Sequence, residues 1–326
     1  MLGIAVLLAL VLSLGSGGPL DLRSQGVPQE LAAAVANYAH ANAVHLAGTF
    51  VHDGHPYRVD ARLDKGGDSQ GTVVADGKRV EYRYTGGHAY VLATQDYWAP
   101  SQARLAAYLA GKWVTGPDSL TDFSTSALSR SLALLDLARP GVTFTRRGSA
   151  TRVNGVPAEP LSDRSGDLYV SRTHPIRFVR LVSSSSYRTP DGITDVRIDL
   201  DYPGGVRVEA PGPVVDTGDL ATLPAQYAVE PDSFTFGACA TSAGCAVSAT
   251  VRNRRGPQVG APTAEFSLTR ADGNDLGRCT ATIHPAGHDQ TETVGCTVSG
   301  AAWAQFSRVG GRYLGTVNVH NPFYDG

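Results

Sequence analysis

Apolar and polar residues alternate along Val44 to Trp98 with the period of a strand. The apolar members are Val44, Leu46 and Phe50, then Tyr57, Val59, Ala61 and Leu63, then Val80, Tyr82 and Tyr84, then Tyr90 and Leu92. His52-Asp53-Gly54-His55, Lys65-Gly66-Gly67-Asp68, Asp76-Gly77 and Gly86-Gly87 separate the runs. Asp-Gly and Gly-Gly supply the positive φ angles that two-residue hairpin turns require. The stretch therefore predicts five strands joined by four tight turns, with one apolar face.

The flanking segments change period. Pro28 to Asn42 predicts a helix, because Leu31, Val35 and Tyr38 recur at i, i+4 and i+7. Ser101 to Gly111 places Leu105, Tyr108 and Leu109 on one helical face, with Gly111 as a stop. Asp118 or Ser119 can cap a further helical stretch carrying Leu120, Phe123, Leu128, Leu132 and Leu135, with a break near Ser124 to Ser126. Arg139-Pro140-Gly141 ends it. Strands then return at 142–147, 152–154, 158–161, 167–171, 176–182 and 193–201, with a short run at Val206 to Ala210. Twist accumulates along so long a meander. The expected fold class is α+β, a strongly curved antiparallel half-barrel sheet wrapping helices.

Beyond Thr217 to Asp232, which carries Pro224 and Pro231 and reads as a linker, come six short runs at 233–236, 245–252, 263–269, 279–283, 294–298 and 312–320. Short strands at this spacing predict a small all-β immunoglobulin-like sandwich. The expected division is 1–27 as signal or anchor segment and linker, 28–213 as the half-barrel, 214–231 as linker and 232–326 as the sandwich.

Four cysteines, Cys239, Cys245, Cys279 and Cys296, lie in this last third. No Cys-x-x-Cys pair occurs, so disulfides are expected over zinc. Of the three pairings, Cys239–Cys245 and Cys279–Cys296 each close a local turn or hairpin and are the expected ones. The second contributes about 3 kcal/mol in the chain-entropy model. Leu2 to Leu14 is apolar apart from Gly3 and Ser13 and matches a signal-peptide core better than a full span. An extracytoplasmic protein, released or membrane-anchored, is the expectation. A net charge of −2 gives no electrostatic basis for nucleic-acid binding.

Further landmarks lie in a fixed order: Val44-His45-Leu46-Ala47-Gly48-Thr49, Gly71 to Gly77, Gly86-Gly87-His88-Ala89-Tyr90-Val91, Gly111-Lys112-Trp113-Val114, Val153-Asn154-Gly155-Val156 and Val206-Arg207-Val208-Glu209-Ala210-Pro211. With them the region from Pro28 to Pro213 resembles the LppX/LprG-type lipoproteins of actinobacteria, whose half-barrel is shared with LolA-type carriers. The resemblance implies a cavity between curved sheet and helices that holds acylated lipids in the cell envelope. This sequence departs from that pattern in having no lipid-attachment cysteine after its apolar N-terminal run.

No catalytic motif appears: there is no Gly-x-Ser-x-Gly, Ser-x-x-Lys, P-loop or dinucleotide fingerprint. His52 and His55 flank a turn. His284 and His288 have helical metal-ligand spacing, but Pro285 and Gly287 oppose a helix there. Asp195, Asp199 and Asp201 read as a solvated strand face, and Ser183 to Ser186 as a strand end. No enzyme activity, metal or cofactor is expected. The leading expectation is a carrier or presenter of an acyl lipid or glycolipid. Leu46, Phe50, Val59, Leu63, Val80, Tyr82, Leu105, Leu109, Phe123 and Leu128 would line its pocket. The alternative is an extracytoplasmic sensor or protein-interaction module, with a filled core and the sandwich as binding surface, engaging an envelope protein partner.

Overall fold

The computed structural model describes residues 29–116, 145–146, 149–162, 166–188 and 192–325. The apolar N-terminal run and the helical stretch through Phe123 and Leu128 lie outside these. The architecture is mostly β, with one large curved antiparallel sheet, two small sheets and short helices, and is compatible with the α+β expectation. The chain divides into two compact units. One holds the described residues up to Pro100 together with Leu109–Pro213; the other holds Ser101–Tyr108 and everything from Val214 on.

In the first unit, α1 (Gln29–Ala39) precedes five strands: β1 (Ala43–His52), β2 (His55–Asp64), β3 (Ser69–Ala75), β4 (Lys78–Thr85) and β5 (His88–Ala93). The hairpins fall where Asp-Gly and Gly-Gly place them. At the β3–β4 turn Asp76 and Gly77 have φ of 48° and 78°, which a two-residue turn needs and an Asp-Gly pair tolerates. After α2 (Gln95–Trp98) and the turn α3 (Ala106–Leu109), of which only Leu109 belongs to this unit, come β6 (Trp113–Thr115), β7 (Thr145–Arg146), β8 (Thr151–Val153), β9 (Val156–Ser162), β10 (Gly166–Ser171), β11 (Phe178–Ser183) and β12 (Ile193–Asp201). The strands run β6-β5-β4-β3-β2-β1-β12-β11-β10-β9-β7, with β8 also on β9. The helix α1 packs on β10 and β11, where Asn37 donates to the Ile176 carbonyl at 2.7 Å and Tyr38 meets Phe178.

Two expectations fail here. The amphipathic segment 101–111 gives only the single turn α3, because so short a stretch after Pro100 cannot offset the cost of helix nucleation. Val206 to Ala210 is no strand. Gly204-Gly205 and Pro211 bracket it, and its Glu209 carbonyl accepts from the Arg83 side chain rather than from a ladder.

Curvature has a local cause. At Gly48 in β1 a Cβ would lie 2.0 Å from the Arg197 carbonyl oxygen, and at Gly71 in β3 it would lie 2.2 Å from that of Asp60. Neighbouring backbone occupies the side-chain position at both, and the β1–β12 register shifts between Thr49 and Val51, beside Gly48. Glycines and bulges of this kind bend sheets.

The second unit opens with β13 (Val214–Asp216). Tyr227–Val229, inside the stretch read as linker, forms β14 and pairs with β16 (Cys245–Asn253). β15 (Thr235–Phe236) and β19 (Thr291–Val298) also pair with β16. The other small sheet is β18 (Asp275–Thr282), β17 (Thr263–Arg270) and β20 (Tyr313–His320), in that order. Between them they bury Val247, Val251, Phe266, Leu268 and Trp303. An unexpected helix, α4 (Ala301–Val309), sits between Gly300 and Gly310 and turns Trp303 and Phe306 inward. The disulfides are Cys239–Cys245 and Cys279–Cys296, the expected pairings, and the second ties β18 to β19. Asn321 is buried beyond β20. Its side chain accepts from Tyr227 N at 2.7 Å and donates to Tyr227 O at 3.1 Å, as a paired strand would.

The outward side of the first unit's sheet carries its charges. Arg180 on β11 holds Asp199 on β12 through two guanidinium hydrogen bonds, and Asn154 adds a third at 3.0 Å. The hydrogen bond from Arg180 holds the Asp199 carboxyl below its ordinary range. The two side chains are 16% and 24% exposed, so solvent screens the pair only in part.

Two measurements follow from this packing. Gly48→Ala lowers the free energy of unfolding by about 2–4 kcal/mol in urea titrations, whereas Gly204→Ala, with nothing near its side-chain position, changes it by less than about 0.5 kcal/mol. Asp199→Asn costs about 1–2 kcal/mol at neutral pH. Because the folded pKa is depressed, the wild-type advantage is complete above the unfolded carboxyl value of about 4 and disappears as pH falls through the folded one. Equilibrium unfolding of both proteins across that range reads the convergence.

Candidate functional site

The inner face of the curved sheet is built by register. Val114, Val91, Tyr82, Gly71, Ala61, Leu46 and Leu200 lie directly opposite one another in a row from β6 to β12. A second row runs Ala93, Val80, Val73, Val59, Gly48, Ile198, Leu181, Leu168 and Leu161, from β5 to β9. Directly opposite residues share a face, so the two rows form one apolar band.

Four of the residues expected to line a pocket, Leu46, Val59, Val80 and Tyr82, fall in this band. Phe50 lies further along β1, stacked on Tyr57 with ring centroids 5.0 Å apart. Leu63 is half-buried opposite Val44 and Ser69. Leu109 is fully buried in the first unit, and Leu105 belongs to the second. Phe123 and Leu128 lie outside the described residues. The band also contains Val73, Leu161, Leu168, Leu181 and Ile198, which the reading of the sequence did not select. Alternation of Val196, Ile198 and Leu200 with Asp195, Arg197 and Asp199 carried that information.

Burial along the band is nearly complete. Leu46 and Val59 are 2% exposed, Val80 1%, Tyr82 and Phe50 3% and Leu200 6%. Burial pushes the Tyr82 hydroxyl above its ordinary range, opposed by a hydrogen bond with Ser69. It pushes Tyr38 up to about 12.

Two open recesses carry polar linings. One, of about 400 Å³, lies between α1 and β9–β10, with Glu30, Glu159, Arg172 and His174 on its walls. The other, of about 370 Å³, lies on the outward face of β2–β4, where Arg83 stacks over Trp113 at 4.8 Å beside Arg62, Asp60 and Glu81.

The polar residues considered as candidate chemistry do not converge. His55 pairs with Asp76 at 2.9 Å and His52 with Asp53 at 3.4 Å. His284 pairs with Glu292 at 2.7 Å, while His288 meets the Arg255 carbonyl. Ser183 Oγ accepts from Val196 N at a strand end. Among the described residues no group of three or more His, Cys, Asp or Glu side chains could hold a metal ion, and no helix is long and apolar enough to cross a membrane.

No protein-family model matches the chain, and no curated protein matches it. Solved structures give distant likenesses. A crystal structure of MucB is 13% identical, covering 90% of this chain and 98% of its own, with a TM-score of 0.27. MucB in complex with MucA(peri) is 14% identical over 87% and 97%, again at 0.27. The complex of Pseudomonas aeruginosa MucA and MucB is 15% identical over 83% and 93%, at 0.22. Superpositions of this quality establish neither the fold of this chain nor its function.

Proposed function

We propose that the protein is an extracytoplasmic, non-enzymatic interaction module. In this reading the first unit is a half-barrel with a filled core, and the second is an immunoglobulin-like sandwich that supplies the binding surface for an envelope protein partner. The observation that carries it is the closed apolar band: residues placed to line a pocket are 3% exposed or less at Leu46, Phe50, Val59, Val80, Tyr82 and Leu109. Side chains this little exposed offer a ligand little area. The two disulfides support an oxidising compartment.

The second reading is the lipid carrier. Its support is the length of the band, which runs unbroken from β6 to β9. An acyl chain laid along it would gain about 0.8 kcal/mol per buried CH₂, provided whatever covers the band moves aside.

Native mass spectrometry of protein purified from a membrane-containing host separates the two. A mass equal to the polypeptide alone, unchanged after incubation with phospholipid vesicles, is the expected result. Solvent-extractable acyl-lipid adducts would replace the filled-core reading with the carrier.

A further inference from the structure

The second unit has one sheet edge unlike its others. β14 and β15 are three and two residues long. β18 and β19 are tied together by Cys279–Cys296 and carry Asp275, Arg278 and Glu292. These are the usual ways in which proteins blunt an edge: shortness, charge or cover. β20 is neither short nor charged, and β14 of the other sheet lies against it without forming a ladder. It is eight residues long, reads Tyr-Leu-Gly-Thr-Val-Asn-Val-His, and carries no Asp, Glu, Lys, Arg or Pro. It pairs with β17 along its whole length and, among the described residues, with no strand on its other side. Alternate residues of such an edge turn both N–H and C=O away from the sheet. Apolar surface flanks it: Leu314 is 67% exposed, and Phe236, edge-on to Tyr313 at 5.1 Å, is 46% exposed.

We infer that β20 pairs with β20 of a second copy of this chain, antiparallel about a two-fold axis at Thr316. The complement of a free backbone edge is another extended backbone, and the side chains select the copy. In the Thr316-centred register Tyr313 lies opposite Val319, Gly315 opposite Val317 and Leu314 opposite Asn318, while Thr316 meets its own equivalent. Tyr313, Gly315, Val317 and Val319 are the more buried positions of the strand, so its apolar face continues across the axis and its polar face stays outside. No charged residue opposes another between Tyr313 and Val319, and a net charge of −2 opposes the approach of two copies only weakly. The result is one continuous sheet with strand order β18-β17-β20-β20-β17-β18. A single strand pair with an aromatic flank is a small interface, so the dimer is weak and fills with concentration. The inference does not depend on what the first unit binds.

Sedimentation velocity of the full chain over roughly a hundredfold range of concentration tests it. The expected result is a reversible monomer–dimer equilibrium for the wild type. Thr316→Lys and Thr316→Glu each set like charges opposite and leave monomers with wild-type melting curves. Mixing the two in equal amounts restores the dimer. Thr316→Cys, oxidised gently, gives a covalent dimer on a non-reducing gel whether or not the charged variants fold. A wild type that stays monomeric throughout overturns the inference. So does a dimer that survives either charge, or a Thr316→Cys protein that does not cross-link. A β20 edge that binds only an unrelated protein's strand, with no self-association, overturns it equally.

Discussion

The pairing of β1 with both β2 and β12 is the constraint on which the first unit depends. β1 opens the meander, and β12, some 150 residues later in the chain, closes against its other edge. That pair joins the two halves of the sheet. It sets Leu46 opposite both Ala61 and Leu200, and Gly48 opposite both Val59 and Ile198. A slip of one residue would turn Val44, Leu46 and Phe50 to the outside and bring His45, Thr49 and Val51 in. Gly48 sharpens the restriction, because no residue with a side chain fits where the Arg197 carbonyl lies. Charges on the outward side, Asp199 with Arg180 and His45 with Asp60, point to solvent only in this register.

The meander was legible because its information is local. Asp-Gly and Gly-Gly turns fix hairpin geometry over a few residues, and alternation fixes which side faces inward. Ile193–Asp201 was legible for the same reason. What could not be read was decided by neighbours distant in sequence. Val206 to Ala210 has strand-forming residues but, among the described residues, pairs with no strand. Tyr227–Val229 has only three residues and two nearby prolines, yet β16 supplies a partner. The helix α4 was legible in principle, since Gly300 and Gly310 bracket Trp303 and Phe306 at helical spacing, but its nine residues sit among strands.

The candidate site divides in the same way. Alternation identifies the side chains that share the inner face, and Leu46, Val59, Val80 and Tyr82 are all there. Alternation is silent on what faces that side. A lined pocket and a packed core require the same residues at the same spacing. Sequence also leaves open which histidine finds which carboxylate: His52 and His55, three residues apart, turn to different partners across a tight turn. The edge of β20 belongs to a third kind of feature. Its composition is plain in the chain, but that it stands at an edge is a fact of sheet order.

The central claim is that the band is a core, and its thermodynamics can be measured directly. Leu46→Ala removes a buried side chain from the middle of the first row. In urea titrations of the full chain a packed core loses about 2–5 kcal/mol, because the lost transfer energy and the residual cavity add. A loss below about 1 kcal/mol, the outcome for a side chain that borders open space, would contradict the account and return the inner face to the role of a ligand pocket.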